Sequence, residues 1–253
     1  MTRIDYFNKH NLTVSNLQAV DKQSVNLVYL TDHFVLRMAR PELAGTTDHE
    51  REAELGLKAF ELDLKTAKPV AWGKTYSIWE RLPGQALQDS ETCPPQIWHE
   101  LLDTLEHLHH NPPEPRIPVK AWTGNPELIQ KTQALACWTP TEQDQLHTLL
   151  SEPQPITSPL FIHGDAYADN ILVDEGKFVG LIDWGNAGWQ CLEQECSSLD
   201  ESALELALQR WRDKLDLELL WKMRLNLLLE VLSYGRVDVS EVRAVLSHLI
   251  DSR

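Results

Sequence analysis

Strand-like patterns occur in two separate parts of this sequence, and their arrangement limits the possible folds. Before Gly84, residues 25–39 form two β-rich runs broken by a Thr-Asp-His turn, and residues 68–81 form two more. Beyond Gly84 the apolar residues recur with helical spacing, most clearly over residues 96–110. Strand character returns at residues 160–183, before a last helical stretch. A strand-rich part followed by a mostly helical part predicts an α+β fold.

The Leu-Pro-Gly joint at residues 82–84 predicts a division into two lobes. We expect residues 1–82 to form a small β-rich lobe and residues 83–253 to form a larger, mostly helical lobe. One helix is predicted in the first lobe, over residues 48–62, where the Thr or Asp at its start can cap it. The proline-rich stretch 111–126 can be neither a helix nor a central strand, so we expect a loop.

The charge of the chain is strongly and unevenly negative. Its 253 residues carry 38 acidic and 23 basic side chains, a net charge of −15. Residues 1–82 hold 11 of each kind, so the whole excess falls on residues 83–253. This balance argues against a nucleic-acid partner, which needs clustered Lys and Arg. It favours a cationic small-molecule partner for the second lobe, although acidic helices also serve solubility alone.

No segment of the sequence is typical of a membrane or secreted protein. The uncharged apolar runs are far shorter than the roughly 20 residues of a membrane-spanning helix. The N-terminus lacks the apolar core of a secretory signal, and the four cysteines form no C-x-x-C pair. We therefore expect a cytoplasmic protein with reduced thiols and no membrane partner.

The segment from Phe161 to Gly188 carries the most informative polar residues. An apolar strand pattern leads into a His-Gly-Asp triplet that ends at Asp165, and Asn170 follows five positions later. Two strand runs then flank a turn-forming Asp-Glu-Gly-Lys, which predicts a hairpin that ends at Asp183. Because this hairpin begins beside Asn170, we expect Asn170 and Asp183 to lie close together, with Asp165 on the loop before them.

Oxygen-bearing side chains brought together in this way require a cation. Carboxylates about 4 Å apart repel each other by roughly 4 kcal/mol at an effective dielectric constant of about 20. A small number of oxygen ligands, completed by phosphate and water, suits Mg²⁺ better than zinc or copper. Phosphoryl transfer uses this set, because one Asp accepts the proton of an attacking hydroxyl while an Asn and a second Asp hold magnesium on a nucleotide.

The pattern resembles the aminoglycoside phosphotransferase and choline kinase superfamily, small-molecule kinases with a protein-kinase-like fold. The His-Gly-Asp triplet with Asn170 is similar to the catalytic loop of that superfamily, and the Ile-Asp-Trp around Asp183 is similar to its metal-binding strand end. The resemblance implies that Asp165 is the catalytic base and that Asn170 and Asp183 bind Mg²⁺. It also implies that ATP is the phosphate donor and that His163 fixes the loop without taking part in the chemistry.

The same resemblance assigns nucleotide contacts in the first lobe. Asn26 matches a residue of the first turn, and Arg37 stands where many kinases carry a phosphate-binding Lys. The choline kinase branch is similar to this chain in having Arg at that position. Glu52 matches the helical glutamate that makes an ion pair with this strand residue. Glu80 and Leu82 belong to a segment that resembles the hinge, which binds adenine through backbone groups.

Two features of the first lobe leave alternatives open. No glycine lies between Met1 and Ala44, so the glycine-rich phosphate cover of protein kinases is missing. Arg37 can also be interpreted as a solvated charge on an edge strand. These features support a second hypothesis, a non-catalytic kinase-like module that binds nucleotide. A third hypothesis, a metal-dependent phosphohydrolase, ordinarily requires two metals and more ligands than this segment offers.

The leading hypothesis is an ATP- and Mg²⁺-dependent kinase that phosphorylates a hydroxyl of a small, cationic molecule. Choline-, ethanolamine- and thiamine-like alcohols and aminoglycosides all fit this class. Trp184 and Trp189 flank the predicted metal site, and aromatic faces can hold ammonium groups by cation–π attraction. Glu195, or alternatively Glu193, stands where the superfamily often has an Asp that braces the following helix.

Overall fold

The structure is a computed structural model that describes residues 2–20, 26–43, 45–87 and 93–252. The helices are α1 (Arg3–Lys9), α2 (His49–Glu61), α3 (Pro95–His110), α4 (Glu127–Ala136), α5 (Pro140–Ser151), α6 (Leu192–Ser197), α7 (Glu201–Trp211), α8 (Leu217–Ser233) and α9 (Val239–Asp251). The strands are β1 (Gln18–Val20), β2 (Asn26–Leu30), β3 (Phe34–Ala39), β4 (Pro69–Gly73), β5 (Tyr76–Glu80), β6 (Gln85–Ala86), β7 (Leu160–Ile162), β8 (Ile171–Asp174), β9 (Lys177–Leu181) and β10 (Gly188–Gln190). Within this described part of the chain, no helix has the combination of length and hydrophobicity that a bilayer crossing requires.

The chain divides into two compact units, and their boundaries differ from those of the two lobes predicted from the sequence. The first unit comprises Met1–Pro115 and Asp165–Ala187, and the second comprises Arg116–Gly164 and Gly188–Arg253. The predicted boundary between residues 82 and 83 follows the change from strands to helices. The first unit also includes helix α3 and the β8–β9 hairpin, because β8 pairs with β6 and α3 packs against β9. The mixture of a strand-rich and a helical part confirms the predicted α+β class.

A five-stranded antiparallel sheet forms the strand-rich part of the first unit, in the order β1-β2-β3-β5-β4. The first predicted hairpin consists of β2 and β3. Its register places Arg37 opposite Val28 on one side and opposite Ser77 of β5 on the other. Arg37 therefore lies on a central strand, so the interpretation of Arg37 as an edge-strand charge is wrong.

Helix α2 packs against this sheet through Gly56. Asp48 caps the helix, since its side chain accepts a hydrogen bond from the Arg51 N–H (3.0 Å). A Cβ atom at position 56 would lie 2.5 Å from the ring of Trp79 on β5, so only glycine permits this approach. Glu52 lies one turn earlier on the same buried face, and its side chain is carried into the interior by this contact.

The second predicted hairpin consists of β8 and β9. Its turn contains Glu175 and Gly176, which both have positive φ (46° and 74°), as tight type I′ turns require. Strand β6 pairs with β8 and completes a three-stranded sheet. Gly84 lies just before β6 at φ 81°, and a Cβ atom there would overlap the Val173 carbonyl. Only glycine at position 84 therefore allows the chain to pass this close to the backbone of the hairpin.

Helix α8 connects much of the second unit, because it packs against α4, α6 and α9. Several of its buried leucines and the buried apolar residues of α4, α5 and α9 form one core cluster, which includes Ile129, Leu150, Leu225, Leu229 and Leu246. Strands β7 and β10 pair antiparallel, with Phe161 opposite Trp189. Helix α6 packs against β7. Strand β7 leads the chain from Ile162 directly into the loop that carries the predicted catalytic residue.

Candidate active site

Asn170 and Asp183 lie at the same end of the β8–β9 hairpin. The two strands remain paired up to this end, where the Ile182 N–H donates to the Asn170 carbonyl oxygen (2.9 Å). The side-chain nitrogen Nδ2 of Asn170 donates to the Asp165 carbonyl oxygen (2.9 Å). This bond ties the loop to the hairpin, and it makes Oδ1 the atom of the Asn170 amide that can bind a cation.

The backbone of Asp183 is in the left-handed region, with φ 68° and ψ 73°. This conformation costs a residue other than glycine about 1 kcal/mol, so neighbouring contacts must hold it. The adjacent Trp184 is buried, and its indole Nε1 donates to the Thr66 hydroxyl (2.8 Å). The interpretation of Trp184 as an aromatic surface for the acceptor is therefore wrong, because its ring anchors the turn that presents the Asp183 carboxylate.

Arg37 binds both Glu52 and Asp183. Its Nη1 donates to Oε1 of Glu52, and its Nη2 donates to Oδ2 of Asp183 (3.0 Å). The predicted ion pair between strand β3 and helix α2 is present, and the contact with Asp183 is one that the sequence did not indicate. The Glu52 side chain has no exposed surface, whereas that of Asp183 is 36% exposed. With both carboxylates ionised, the group carries a net negative charge.

Burial and charge shift the pKa values of this group and its neighbour His49. Burial lowers the pKa of Arg37, but the charges of Asp183 and Glu52 more than offset it, so this pKa is raised. Burial raises the pKa of Glu52 to about 7, against the opposing charge of Arg37. Burial, aided by the Arg37 charge, lowers the pKa of His49 to about 4. His49 is therefore neutral at pH 7, and its Nδ1 lies 3.3 Å from the Ser77 hydroxyl.

In the second unit, Glu195 holds the backbone of the loop that follows β7. Its two carboxylate oxygens accept hydrogen bonds from the N–H groups of His163 and Gly164, both at 2.9 Å. Glu195 and His163 are completely buried, and Gly164 has φ 76°. The sequence predicts that Glu195 braces the following helix, and in the structure its carboxylate supports the loop through these two hydrogen bonds. The alternative candidate, Glu193, accepts from the Asp216 N–H (2.8 Å) at the start of α8.

The Asp165 side chain receives a hydrogen bond from Asn186, a residue that sequence reasoning missed. Nδ2 of Asn186 lies 3.3 Å from Oδ2 of Asp165. Asn186 is in a short 3₁₀ turn, Trp184–Asn186, that directly follows Asp183. The only signal in the sequence is a polar amide three residues after Asp183, and that signal has no meaning until the turn is known.

The predicted nucleotide residues Asn26 and Glu80 lie on strands of the five-stranded sheet. Asn26 begins β2 with a buried side chain, and the turn before it, residues 21–25, lies outside the described residues. Glu80 ends β5 and is exposed. The backbone N–H groups of Glu80 and Arg81 donate to carbonyl oxygens of neighbouring segments, both at 2.8 Å. These two N–H groups are therefore already committed within the sheet.

Leu82, the other predicted hinge residue, belongs to an apolar cluster. Like Val35 of β3 and Ile182, the residue before Asp183, it is only partly buried and packs against the buried members of this cluster. The buried members of the cluster are Ala53, Ala67 and Trp79. One of these partly exposed apolar residues, Ile182, therefore directly precedes Asp183, the residue that binds Arg37.

The donor set at the hairpin end fits magnesium better than a fully protein-ligated metal. Within residues 2–20, 26–43, 45–87 and 93–252, no three His, Cys, Asp or Glu side chains form a metal cluster. Asn170 and Asp183 offer one amide oxygen and one carboxylate. Magnesium is commonly held by such a partial set, because it keeps several water and phosphate ligands.

Sequence comparison finds a family model that covers most of this chain. Residues 16–221 match the model of the phosphotransferase enzyme family. An aminoglycoside 3'-phosphotransferase of Escherichia coli is 39% identical over an alignment of 77 residues, and the match covers 25% of this chain and 27% of that protein. The match therefore spans about a quarter of that relative's length.

Solved structures of phosphotransferases share the fold. A thermostable mutant of aminoglycoside phosphotransferase APH(4)-Ia superposes with a TM-score of 0.66 at 15% identity, covering 99% of both chains. Macrolide 2'-phosphotransferase MphH from Brachybacterium faecium superposes with a TM-score of 0.62 at 16% identity, covering 96% of both chains. The streptomycin–ATP complex of APH(2")-IIa gives a TM-score of 0.61 at 13% identity, covering 94% of this chain and 96% of that one. At such identities the likeness shows the fold alone.

Proposed function

Since the chain belongs to the phosphotransferase enzyme family, we propose that it uses ATP and Mg²⁺ to phosphorylate a hydroxyl group of a small molecule. The observation that carries this proposal is the meeting of Asn170 and Asp183 at one hairpin end. Asp165 is tied to Asn170 there, and Arg37 is bound to Asp183. Phosphoryl transfer requires these groups: a base, two oxygen ligands for magnesium and a cationic side chain.

Asp165 accepts the proton of the acceptor hydroxyl as the oxygen attacks the phosphate. Two contacts hold it for this role: the Asn186 amide on its Oδ2 and the Asn170 amide on its carbonyl oxygen. Glu195 fixes the backbone of the two preceding residues. These three contacts restrict the orientation of the base before the reaction begins. Positioning raises the rate because this orientational entropy is not lost during the reaction itself.

Asn170, through Oδ1, and Asp183 are the residues that hold Mg²⁺. Bound magnesium supplies positive charge that neutralises the phosphate oxygens of the nucleotide. The need for it is supported by the electrostatics of this chain, because two carboxylates, Glu52 and Asp183, share the single charge of Arg37, and the more exposed of the two, Asp183, repels a free triphosphate. Arg37 neutralises one of these carboxylates and presents its guanidinium beside the metal-binding end of the hairpin.

The adenine ring is proposed to lie against Val35, Leu82 and Ile182. These side chains are apolar and only partly buried, as a planar base requires. Since the N–H groups of Glu80 and Arg81 are committed to the sheet, the carbonyl of Glu80 and the N–H of Leu82 are the backbone groups assigned to adenine. The solved streptomycin–ATP complex of a protein with this fold supports ATP as the donor.

The acceptor is proposed to be a small molecule that carries positive charge, such as an amino or ammonium alcohol. The net charge of −15 falls entirely on residues 83–253. A field of this sign raises the local concentration of cations and repels anions. High ionic strength should therefore raise the KM of a cationic acceptor more than that of a neutral one.

ADP release measured with and without acceptor tests this function. The acceptor panel contains choline, ethanolamine, thiamine, amino sugars and aminoglycosides, each with and without Mg²⁺. We expect acceptor-dependent release with Mg²⁺, and a loss of about 10²- to 10⁴-fold in Asp165→Asn with nucleotide binding retained. Asp169→Asn, an exposed carboxylate of the same loop, is the matched control. Nucleotide binding without any ADP release would favour the non-catalytic module, and acceptor-independent release would favour a hydrolase.

A further inference from the structure

The second unit contains a groove walled by two tryptophans. The groove has a volume of about 360 Å³ and is lined by residues 118–123 of the proline-rich stretch and by Trp189 and Gln190 of β10. This volume is in the range of small-molecule sites, which starts at about 300 Å³. The sequence indicated only a loop for the first of these segments, so the groove arises from tertiary packing.

Both indole rings are held in place by the structure around them. The backbone N–H groups and carbonyls of Trp122 and Gln154 exchange two hydrogen bonds of 2.8 Å. The Trp122 side chain packs against a cluster of Cys191, Leu219 and Met223. The other wall is equally fixed, because Trp189 is paired with Phe161 in the sheet and makes an edge-to-face ring contact with it at 5.9 Å.

The polar groups of the groove select the charge of its ligand. The lining side chains that can hydrogen-bond to a ligand are those of Lys120, Thr123, Gln190 and Trp122, since the indole nitrogen of Trp189 is buried. None of the described residues that line the groove is acidic. Indole faces pack against the C–H face of a ring, while a hydroxyl, an amide and an ammonium bind ring hydroxyls. The lining therefore fits a ring that is hydroxylated and uncharged, and Lys120 repels an amino group.

We propose that this groove binds an uncharged, hydroxylated ring of the phosphate acceptor, with any cationic group of the acceptor lying outside the groove. The inference rests on the proposed function and adds to it the part of the acceptor that is recognised. A polyamine with a charge on every ring is disfavoured. The overall negative charge still attracts a cationic acceptor at long range, whereas the groove selects the ring at short range.

One wall of the groove is paired with a strand that lies close in the sequence to the proposed base. Strand β10, which carries Trp189, pairs with β7 so that Trp189 faces Phe161. Phe161 precedes Asp165 by four residues. Four residues span at most about 14 Å, so the α-carbons of Phe161 and Asp165 lie no farther apart than that.

Two probes that differ in one group test the proposal: methyl glucopyranoside and methyl 2-amino-2-deoxyglucopyranoside. Their dissociation constants are measured by ligand-observed NMR on the full chain without nucleotide. We expect the neutral probe to bind at least about threefold more tightly, the size of a like-charge repulsion across roughly 6 Å of water. Equal binding, tighter binding of the amino probe, or no binding of either probe would overturn the proposal.

Variants then identify the groove as the site of binding. Lys120 is exposed, so Lys120→Gln should fold and should bring the ratio of the two dissociation constants close to one. Lys131→Gln, an exposed lysine on α4, should leave the ratio unchanged. Trp189→Leu should weaken binding of the neutral probe by about tenfold, whereas Trp221→Leu, which removes an indole outside the groove, should not. An unchanged ratio in Lys120→Gln would overturn the proposal even if the tryptophan variants are unstable.

ADP release separates the failure of this inference from the failure of the proposed function. If acceptors are phosphorylated with a KM that neither Lys120→Gln nor Trp189→Leu changes, the groove is not the acceptor site although the kinase activity stands. If the neutral probe binds in the groove but no acceptor yields ADP, the groove is a binding site and the proposed kinase activity fails.

Discussion

Arg37 on strand β3 and Asp183 at the end of the β8–β9 hairpin are 146 residues apart in the sequence and directly in contact, with Nη2 and Oδ2 3.0 Å apart. The same guanidinium pairs with Glu52 on helix α2. One arginine thus connects the sheet, the helix and the proposed metal-binding residue of the first unit. Because Glu52 is fully buried, its carboxylate depends on Arg37 for compensation.

Removing the arginine alone should destabilise the protein strongly. We expect Arg37→Gln to lower the free energy of unfolding by about 3 to 5 kcal/mol, because Glu52 is left buried without a counter-charge. The double variant Arg37→Gln/Glu52→Gln should recover much of this loss, since two neutral amides can bond to each other. Urea denaturation of both variants measures the difference. Equal destabilisation in the single and double variants would show that Glu52 does not need Arg37.

The carboxylate of Asp183 should control the effect of Mg²⁺ on nucleotide binding. Asp183→Asn preserves the shape of the side chain and removes its charge, so we expect Mg²⁺-ATP to bind at least about tenfold more weakly. ATP without Mg²⁺ should bind no more weakly than before, because a repulsive charge is removed. Titration calorimetry with Mg²⁺ and with EDTA measures both constants. Asp174→Asn, at the exposed end of β8, is the control, and an equal effect there would contradict the assignment.

The parts of the site that depend on short-range structure could be predicted from the sequence. The positive-φ turn at Glu175 and Gly176 predicts the hairpin, and although a bulge between Leu172 and Val173 shifts the register by one residue, the paired strands bring Asn170 and Asp183 to one end. The helix of residues 49–61 follows from its cap and its apolar spacing in the same way. Local chemistry therefore determines where the proposed metal ligands meet.

The contacts between distant segments could not be predicted, because no local pattern encodes them. The position of Trp184 beside Asp183 in the sequence favours an aromatic surface for the acceptor, yet its indole bonds to Thr66, 118 residues earlier. The close approach of α2 to the sheet depends on Gly56 facing Trp79, and an isolated glycine within a helical pattern predicts only reduced helix stability. The groove beside Trp122 likewise depends on the pairing of two loops.

Glu195 should support both the stability of the second unit and the geometry of the loop that leads to the proposed base. Glu195→Ala leaves the N–H groups of His163 and Gly164 buried without partners, so we expect a loss of about 2 to 4 kcal/mol in unfolding free energy. Glu195→Gln retains one acceptor oxygen and should lose less. We also expect kcat to fall more than the affinity for nucleotide. Glu193→Gln, which affects the start of α8, is the control, and a larger loss of kcat there would contradict this role.

His49 should make the native state less stable in acid. Burial and the Arg37 charge lower its pKa from an ordinary 6.5 to about 4, while Asp183 and Asp48 oppose this shift. Between these two values the unfolded chain binds a proton that the native state does not, so stability falls as the pH falls from about 6.5 to 4. After allowance for screening, the loss of unfolding free energy due to His49 is about 1 to 2 kcal/mol.

Urea denaturation at pH 7 and pH 4.5 should show a smaller loss in His49→Gln than in the wild type. His147→Gln, at an exposed position, should lose as much as the wild type, and a matching loss in His49→Gln would show that His49 titrates normally in the folded protein.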